Sequence, residues 1–260
     1  MFRLKLKKKK GIIILVIALI IVISSAVYNV NKYLGWFREG NSAKYSLENV
    51  QKLDNSPIAN KNIIFLGSSV TLGKGSRDVS FVDYIEKKDS VSVTKEAVSG
   101  TTLVDKGKDS YIQRMKNKLD TKAKVDAFVC QLSTNDASQK QPLGKINTSM
   151  NLKDFDTSTI TGAMEYIICY AKQNWNCKVI FYTETKYESK EYEAMVTRLL
   201  ELQKKWNIGV IDMWNDNELN NINEKTRKLY MLDNVHPLKA GYLEWWTPYI
   251  EKYLYGYLQQ

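Results

Sequence analysis

Hydrophobic positions fall into three regimes along the chain. Residues 11–27, GIIILVIALIIVISSAV, are a nearly unbroken apolar run; residues 31–60 carry no sustained period; from Asn62 onward short apolar runs alternate with amphipathic stretches. With residues 28–30 the first run approaches the roughly 20 helical residues, at about 1.5 Å each, that span a hydrocarbon core. In the third regime the segments 63–66, 91–97, 127–132, 179–183 and 208–213 predict five strands. Between them Ile160, Met164, Ile167, Ile168 and Ala171 share one helical face, as do Tyr192, Met195, Val196, Leu199 and Trp206. Strands alternating with helices predict an α/β fold: a three-layer α/β/α sandwich around a mostly parallel, flavodoxin-like five-stranded sheet, preceded by one N-terminal transmembrane helix.

Charge orients the first regime. Arg3, Lys5, Lys7, Lys8, Lys9 and Lys10 supply six of the chain's formal net charge of +10, a block that places the N-terminus in the cytoplasm and the remainder outside. The division expected is a basic cytoplasmic segment (1–10), an anchor (11–30), a stem (31–60) and a domain (61–260). Two alternatives stay open. Ser24, Ser25 and Ala26 resemble a signal-peptidase site, which would release a secreted domain, and part of 31–60 packs on the domain rather than standing free. Trp36 and Phe37 suit the lipid headgroup level.

The charge left over is small and scattered, so a nucleic-acid partner has no support. Cys130, Cys169 and Cys177 are too few and too dispersed for a disulfide framework or a zinc site, and no cofactor or metal is expected. Cys130 reads as a small core residue, and a Cys169–Cys177 bridge stays open.

Candidate chemistry lies where the strands end, since open parallel sheets bind ligands outside the carboxyl ends of their strands. The first apolar run stops at Gly67, followed by Ser68 and Ser69. A serine there, beside a glycine that permits a sharp turn, faces the mouth of the sheet. On its own it also reads as a helix N-cap. Serine becomes a useful nucleophile when a base takes its proton, and an imidazole, ordinarily with a pKa near 6.5, suits that task. His236 is the only histidine in the chain. Asp233, three residues earlier, can accept from the second ring nitrogen and fix the tautomer. The backbone N–H groups of Ser69 and Gly100, with the side-chain amide of Asn135, are candidate donors to an oxyanion. Ser68 and Thr71 read as capping or turn residues, Tyr242, Trp245 and Trp246 as helix packing, and Asp212 as a strand terminator. The polar connections 137–156 and 214–232 border the same rim and read as substrate loops.

These blocks, in this order, resemble the SGNH (GDSL-type) hydrolase superfamily from Asn62 to about Leu254. They are Gly67-Ser68-Ser69-Val70-Thr71, the Gly100 of AVSGTTL, the Asn135 of STND, and Asp233 with His236 in DNVHP. The resemblance implies Ser69 as nucleophile, His236 as base, Asp233 as its partner, and Gly100 and Asn135 as oxyanion donors. Two positions depart from the pattern. Ser68 stands where the superfamily has Asp, and Ser133 where it has Gly, so altered hydrogen bonding beside Ser69 and a tighter loop at Asn135 are expected. The function implied is a metal-free serine esterase working through an acyl-enzyme. Its expected substrates are acylated carbohydrate, envelope polymer or a lipid ester. An acyltransferase using the same site and a catalytically silent envelope-binding module are the alternatives.

Overall fold

A computed structural model describes residues 2–259, with side chains from Ile12 onward. The side chains of the basic segment lie outside the described residues. Helix α1, Phe2–Leu34, contains the apolar stretch Ile12–Leu34, none of whose residues is buried. Its 23 residues extend about 35 Å, enough for a membrane span; a signal sequence has the same character.

Five parallel strands follow: β1 (Asn62–Gly67), β2 (Ser92–Ala97), β3 (Ala127–Gln131), β4 (Lys178–Tyr182) and β5 (Gly209–Ile211), in the order β2-β1-β3-β4-β5. The predicted runs and the observed strands agree to within a residue or two; in β1, β3 and β4 continuous apolar residues mark strands buried on both faces, whereas β2, at the sheet edge, exposes Ser92 and Thr94. Alternate residues feed two cores. Ile64, Leu66, Phe128, Cys130, Val179 and Phe181 face one layer. It is built from α4 (Tyr111–Lys118), α6 (Ile160–Trp175) and α7 (Lys190–Trp206). Ile63, Phe65, Val129, Ile180 and Tyr182 face the other, formed by α3 (Phe81–Asp89) and the C-terminal helix Thr247–Leu258, which a π-helical turn over Tyr242–Trp246 precedes. The two helical faces predicted for 160–171 and 192–206 are buried, as are Tyr242, Trp245 and Trp246. Ser80, Ser110, Thr159 and Ser189 each accept from a backbone N–H in the first turn of α3, α4, α6 and α7, which fixes where those helices begin. All three cysteines are free, so the Cys169–Cys177 bridge is not formed.

The segment between α1 and β1 lies against the domain. Three short 3₁₀ turns, Glu39–Asn41, Ala43–Tyr45 and Leu47–Asn49, bury Asn41 and Tyr45, and Ile58 is fully enclosed. The Tyr84 hydroxyl donates to the Tyr45 carbonyl at 2.6 Å.

Arg114 on α4 is enclosed completely, and all five of its N–H groups are used. Nε donates to Asp109 O at 3.0 Å, Nη1 to Glu96 O and Oε1 at 3.0 and 3.1 Å, and Nη2 to Gly67 O and Thr101 Oγ1 at 2.8 and 3.1 Å. One guanidinium thereby joins the ends of β1 and β2 to the loop that carries Gly100. Arg114→Met is expected to lower the unfolding free energy of the full chain by about 3–5 kcal/mol, because it takes the buried guanidinium away from the Glu96 carboxylate and from the carbonyls of Gly67, Glu96 and Asp109. Urea denaturation followed by tryptophan fluorescence measures this.

Candidate active site

β1 ends at Gly67, and the chain turns at once into the four-residue helix α2 (Ser69–Leu72). The turn does not depend on an unusual φ at Gly67. A Cβ there would lie 1.7 Å from Thr71 Oγ1, so the glycine is required by the close return of the chain on itself. Ser68 is fully buried. Its N–H and Oγ both approach Gln131 Oε1, at 2.8 and 3.2 Å, and Thr71 Oγ1 joins them at 2.9 Å. Gln131, the last residue of β3, thus grips the turn from below, while Tyr242 OH grips α2 by donating to Val70 O at 2.7 Å.

Ser69, 4% exposed, places Oγ 2.8 Å from His236 Nε2 across 167 residues of chain. On the far side of the ring, Nδ1 lies 2.9 and 3.1 Å from the two carboxylate oxygens of Asp233. The same carboxylate accepts the N–H groups of Val235 and His236, each at 2.8 Å, so the DNVH loop is folded around its own acid. Burial opposes the charge on Asp233. The His236 ring and those two N–H groups outweigh it and hold the carboxyl down at about 2. With Asp233 ionised and accepting from Nδ1–H, the lone pair of His236 is presented to the serine.

Gly100 has φ +81°, and a Cβ there would meet nothing, so backbone conformation alone selects glycine. Among the described residues the N–H groups of Ser69 and Gly100 have no acceptor. Asn135 sits in α5 (Thr134–Ser138) and spends one amide proton on Thr101 O at 2.9 Å, which leaves its second free. Ser133, in place of the expected glycine, caps α5 by accepting from Asn135 N–H at 3.2 Å and itself donates to Thr101 O at 3.3 Å. The segments bearing Gly100 and Asn135 are thus stitched together. Asp136 completes the join, accepting from the N–H groups of Leu103 and Val104 at 2.8 and 3.0 Å. All five residues singled out from sequence therefore stand along one edge of the sheet.

Four others were not foreseen: Arg114, Gln131, Asp136 as a clamp, and Glu184. Glu184 follows β4 and is 1% exposed. Its Oε1 accepts from Gln131 Nε2 at 3.2 Å, and its Oε2 has no partner among the described residues. Burial foremost, and then the charge of Asp233, push this carboxyl well above the ordinary range, which favours the neutral acid. The described residues contain no cluster of metal-ligating side chains.

No family model matches the chain, and no curated protein matches it. Solved structures do resemble it. A protein of Lactobacillus plantarum is 20% identical at TM-score 0.59, covering 77% of this chain and 97% of its own. A Bacteroides ovatus protein described as a GDSL-like lipase is 19% identical at TM-score 0.57, covering 75% and 98%. An acetyl xylan esterase is 18% identical at TM-score 0.54, covering 75% and 98%. At these identities the shared property is the fold.

Burial pushes the Asp136 carboxyl up to about 6, against the pull of the two loop N–H groups. Because the folded chain binds this proton more tightly than the unfolded chain, stability falls as pH rises from about 4 to about 6. The advantage of wild type over Asp136→Asn is expected to be largest near pH 4 and to shrink by on the order of 3 kcal/mol by pH 7. Denaturation curves of the two proteins across that range test the sign.

Proposed function

We propose that this protein is a serine esterase that hydrolyses carboxyl esters of short acyl groups, O-acetyl foremost, on carbohydrate or cell-envelope material. Helix α1 holds its domain at the outer face of the membrane. The observation that carries the reading is the 2.8 Å approach of Ser69 Oγ to His236 Nε2 with Asp233 on the opposite ring nitrogen. Fold likeness to a GDSL-like lipase and an acetyl xylan esterase agrees with it. A cavity of about 350 Å³ runs beside Gly100 and is lined by Thr101, Thr102, Lys106, Asp109 and Gln139. Such a polar wall suits a hydrated alcohol better than a long acyl chain.

In this reading Ser69 Oγ attacks the ester carbonyl as its proton passes to His236 Nε2. Asp233 stabilises the resulting imidazolium through Nδ1–H. The N–H groups of Ser69 and Gly100 and the free amide proton of Asn135 receive the oxyanion. Collapse expels the alcohol, which takes the proton from Nε2 and leaves an acyl ester on Ser69. Water then attacks, gives its proton to His236, and the acid departs as Ser69 recovers its own.

The full chain in detergent is expected to hydrolyse p-nitrophenyl acetate and to show an acetyl adduct on Ser69 by mass spectrometry; Ser69→Ala shows neither. Equal rates in the two proteins would overturn the enzyme reading in favour of a silent binding module. Products formed with an added sugar acceptor separate hydrolysis from acyl transfer.

Asn135→Ala is expected to lower kcat about 100- to 1,000-fold with little change in KM, as for loss of one oxyanion donor. On acidification kcat/KM is expected to fall in a single-proton step. Protonating His236 removes the acceptor, whereas Asp233 keeps its charge to about pH 2. A two-proton slope above pH 4 that persists in Asp136→Asn, which removes the carboxyl held up at about 6, would contradict this assignment.

A further inference from the structure

We propose that Asn41, in the turn that follows α1, is a positioning residue that holds the His236 loop against the Ser69 loop. The proposal rests on the esterase reading above. Asn41 is 3% exposed and lies in the first 3₁₀ turn after α1. Its Nδ2 donates to Gly35 O and to Gly75 O, each at 2.8 Å, and its Oδ1 accepts from Lys239 N–H at 2.9 Å. The side-chain amide therefore ties three stretches together: the end of α1, the loop six residues past Ser69, and the backbone three residues past His236. Its orientation is fixed, because a flipped amide would set oxygen against two carbonyls.

The link reaches the chemistry through Gly75. A Cβ at that position would lie 2.7 Å from Pro237 O and 3.2 Å from His236 Cβ, so the Gly75 backbone is pressed directly against the base. Gly40 is equally confined, with Leu229 O 2.0 Å from where its Cβ would be. From the end of α1 the path to the nucleophile runs through Asn41, Gly75 and His236 to Ser69.

The His236 loop needs such a support. Asp233 is half exposed, and the antiparallel pairing that closes the loop is the isolated bridge Met231–Pro237, with Leu232 N–H donating to His236 O at 2.9 Å. That holds the loop to itself; toward the β1 side the chain is next tied six residues past His236, where the Tyr242 hydroxyl donates to Val70 O. Asn41 supplies a tie across the cleft, from Lys239 to Gly75. Without it the imidazole is held less closely to Ser69 Oγ, which impairs proton transfer more than ester binding. A displacement near 1 Å is enough for a rate loss of about 100-fold.

The test uses the full chain in detergent micelles. Asn41→Ala is expected to lower kcat on p-nitrophenyl acetate about 10- to 100-fold with KM within about twofold, at an unchanged fraction of folded protein. Lys239→Pro is a gentler second variant. Lys239 opens a short helix after an extended Leu238, a place that accepts proline, and the substitution removes the N–H that Asn41 receives together with the lysine side chain, for which Lys239→Ala is the control. Lys239→Pro is expected to shift kcat the same way by a smaller factor. Asn49→Ala removes a comparable amide bond, to Ala43 O within the same segment, and is expected to leave kcat alone.

Because His236 is the only histidine, its ring resonances in selectively labelled protein report the Ser69–His236–Asp233 geometry without any substrate. Asn41→Ala should shift or broaden them, and Asn49→Ala should not. Unchanged kcat and unchanged ring resonances in both Asn41→Ala and Lys239→Pro would overturn the proposal. So would a kcat loss fully matched by loss of folded protein. Wild-type protein inactive on the ester counts against the esterase reading, and the ring resonances then still decide the role of Asn41.

Discussion

A parallel sheet creates a difficulty at the carboxyl ends of its strands: where pairing stops, the last carbonyls are buried and need more donors than the ladder supplies. Here Arg114 resolves it. Its five donors, all used, take the carbonyls of Gly67, Glu96 and Asp109, with Thr101 Oγ1 and the Glu96 carboxylate. Those groups belong to the turn before Ser69, the end of β2 and the loop through Gly100. A lysine at this position would supply three donors radiating from one nitrogen and could not serve three separated stretches of backbone. The relative placement of the Ser69 turn and the Gly100 loop therefore depends on a planar cation buried beneath both.

Gln131 performs the matching task on the β3 side, and it explains why serine stands at position 68. Gln131 Oε1 receives the Ser68 N–H, the Ser68 hydroxyl and the Thr71 hydroxyl, while its Nε2 donates to Glu184. A carboxylate at position 68 would set acceptor against acceptor at that oxygen. The hydroxyl donates instead, and the carboxyl of the local network comes from β4. Ser133 follows the same logic: where a glycine would leave Asn135 N–H and Thr101 O less well satisfied, its hydroxyl serves both.

How much of this was legible depends on whether a residue's role is written in its neighbours. β1, β3 and β4 were legible because both faces are buried and the apolar run is continuous. Ser69, Gly100 and Asn135 each follow a strand and Asp233 and His236 lie in the loop beyond β5; the order and spacing of the five, rather than any one residue type, made the constellation legible. Arg114 was not: on α4 a lone arginine between Gln113 and Met115 looks like a solvated face, and its partner Gly67 lies 47 residues away. Gln131 was hidden at the end of a run read as core, and Asn41 in a stretch without periodicity. That stretch owes its structure to close backbone approaches and a side-chain amide rather than to an amphipathic stripe, so a search for periods passes over it. Whether residues 31–60 stand free or pack was likewise undecidable from pattern, because the burial of Tyr45 and Ile58 is set by partners remote in the chain.

The proposed chemistry also sets a limit on charge, and burial enforces it. Asp233 bonds an imidazole that must become positive as the oxyanion forms, Glu184 lies in the field of Asp233, and Asp136 clamps the loop that follows the candidate oxyanion donor Gly100. Three full negative charges would favour the imidazolium before any substrate arrived and would oppose the oxyanion throughout. The surroundings separate their roles. Asp233, half exposed and supplied with two backbone N–H groups and the ring, keeps its charge. Asp136 turns its carboxylate toward Leu103 and Val104, whose N–H dipoles absorb the charge it carries above about pH 6. Glu184, enclosed with one oxygen unpartnered, is driven toward the neutral acid, so it shapes the Gln131 network without adding to the field. Of three carboxyl groups, only the one bonded to His236 is left to act on the reaction as a charge.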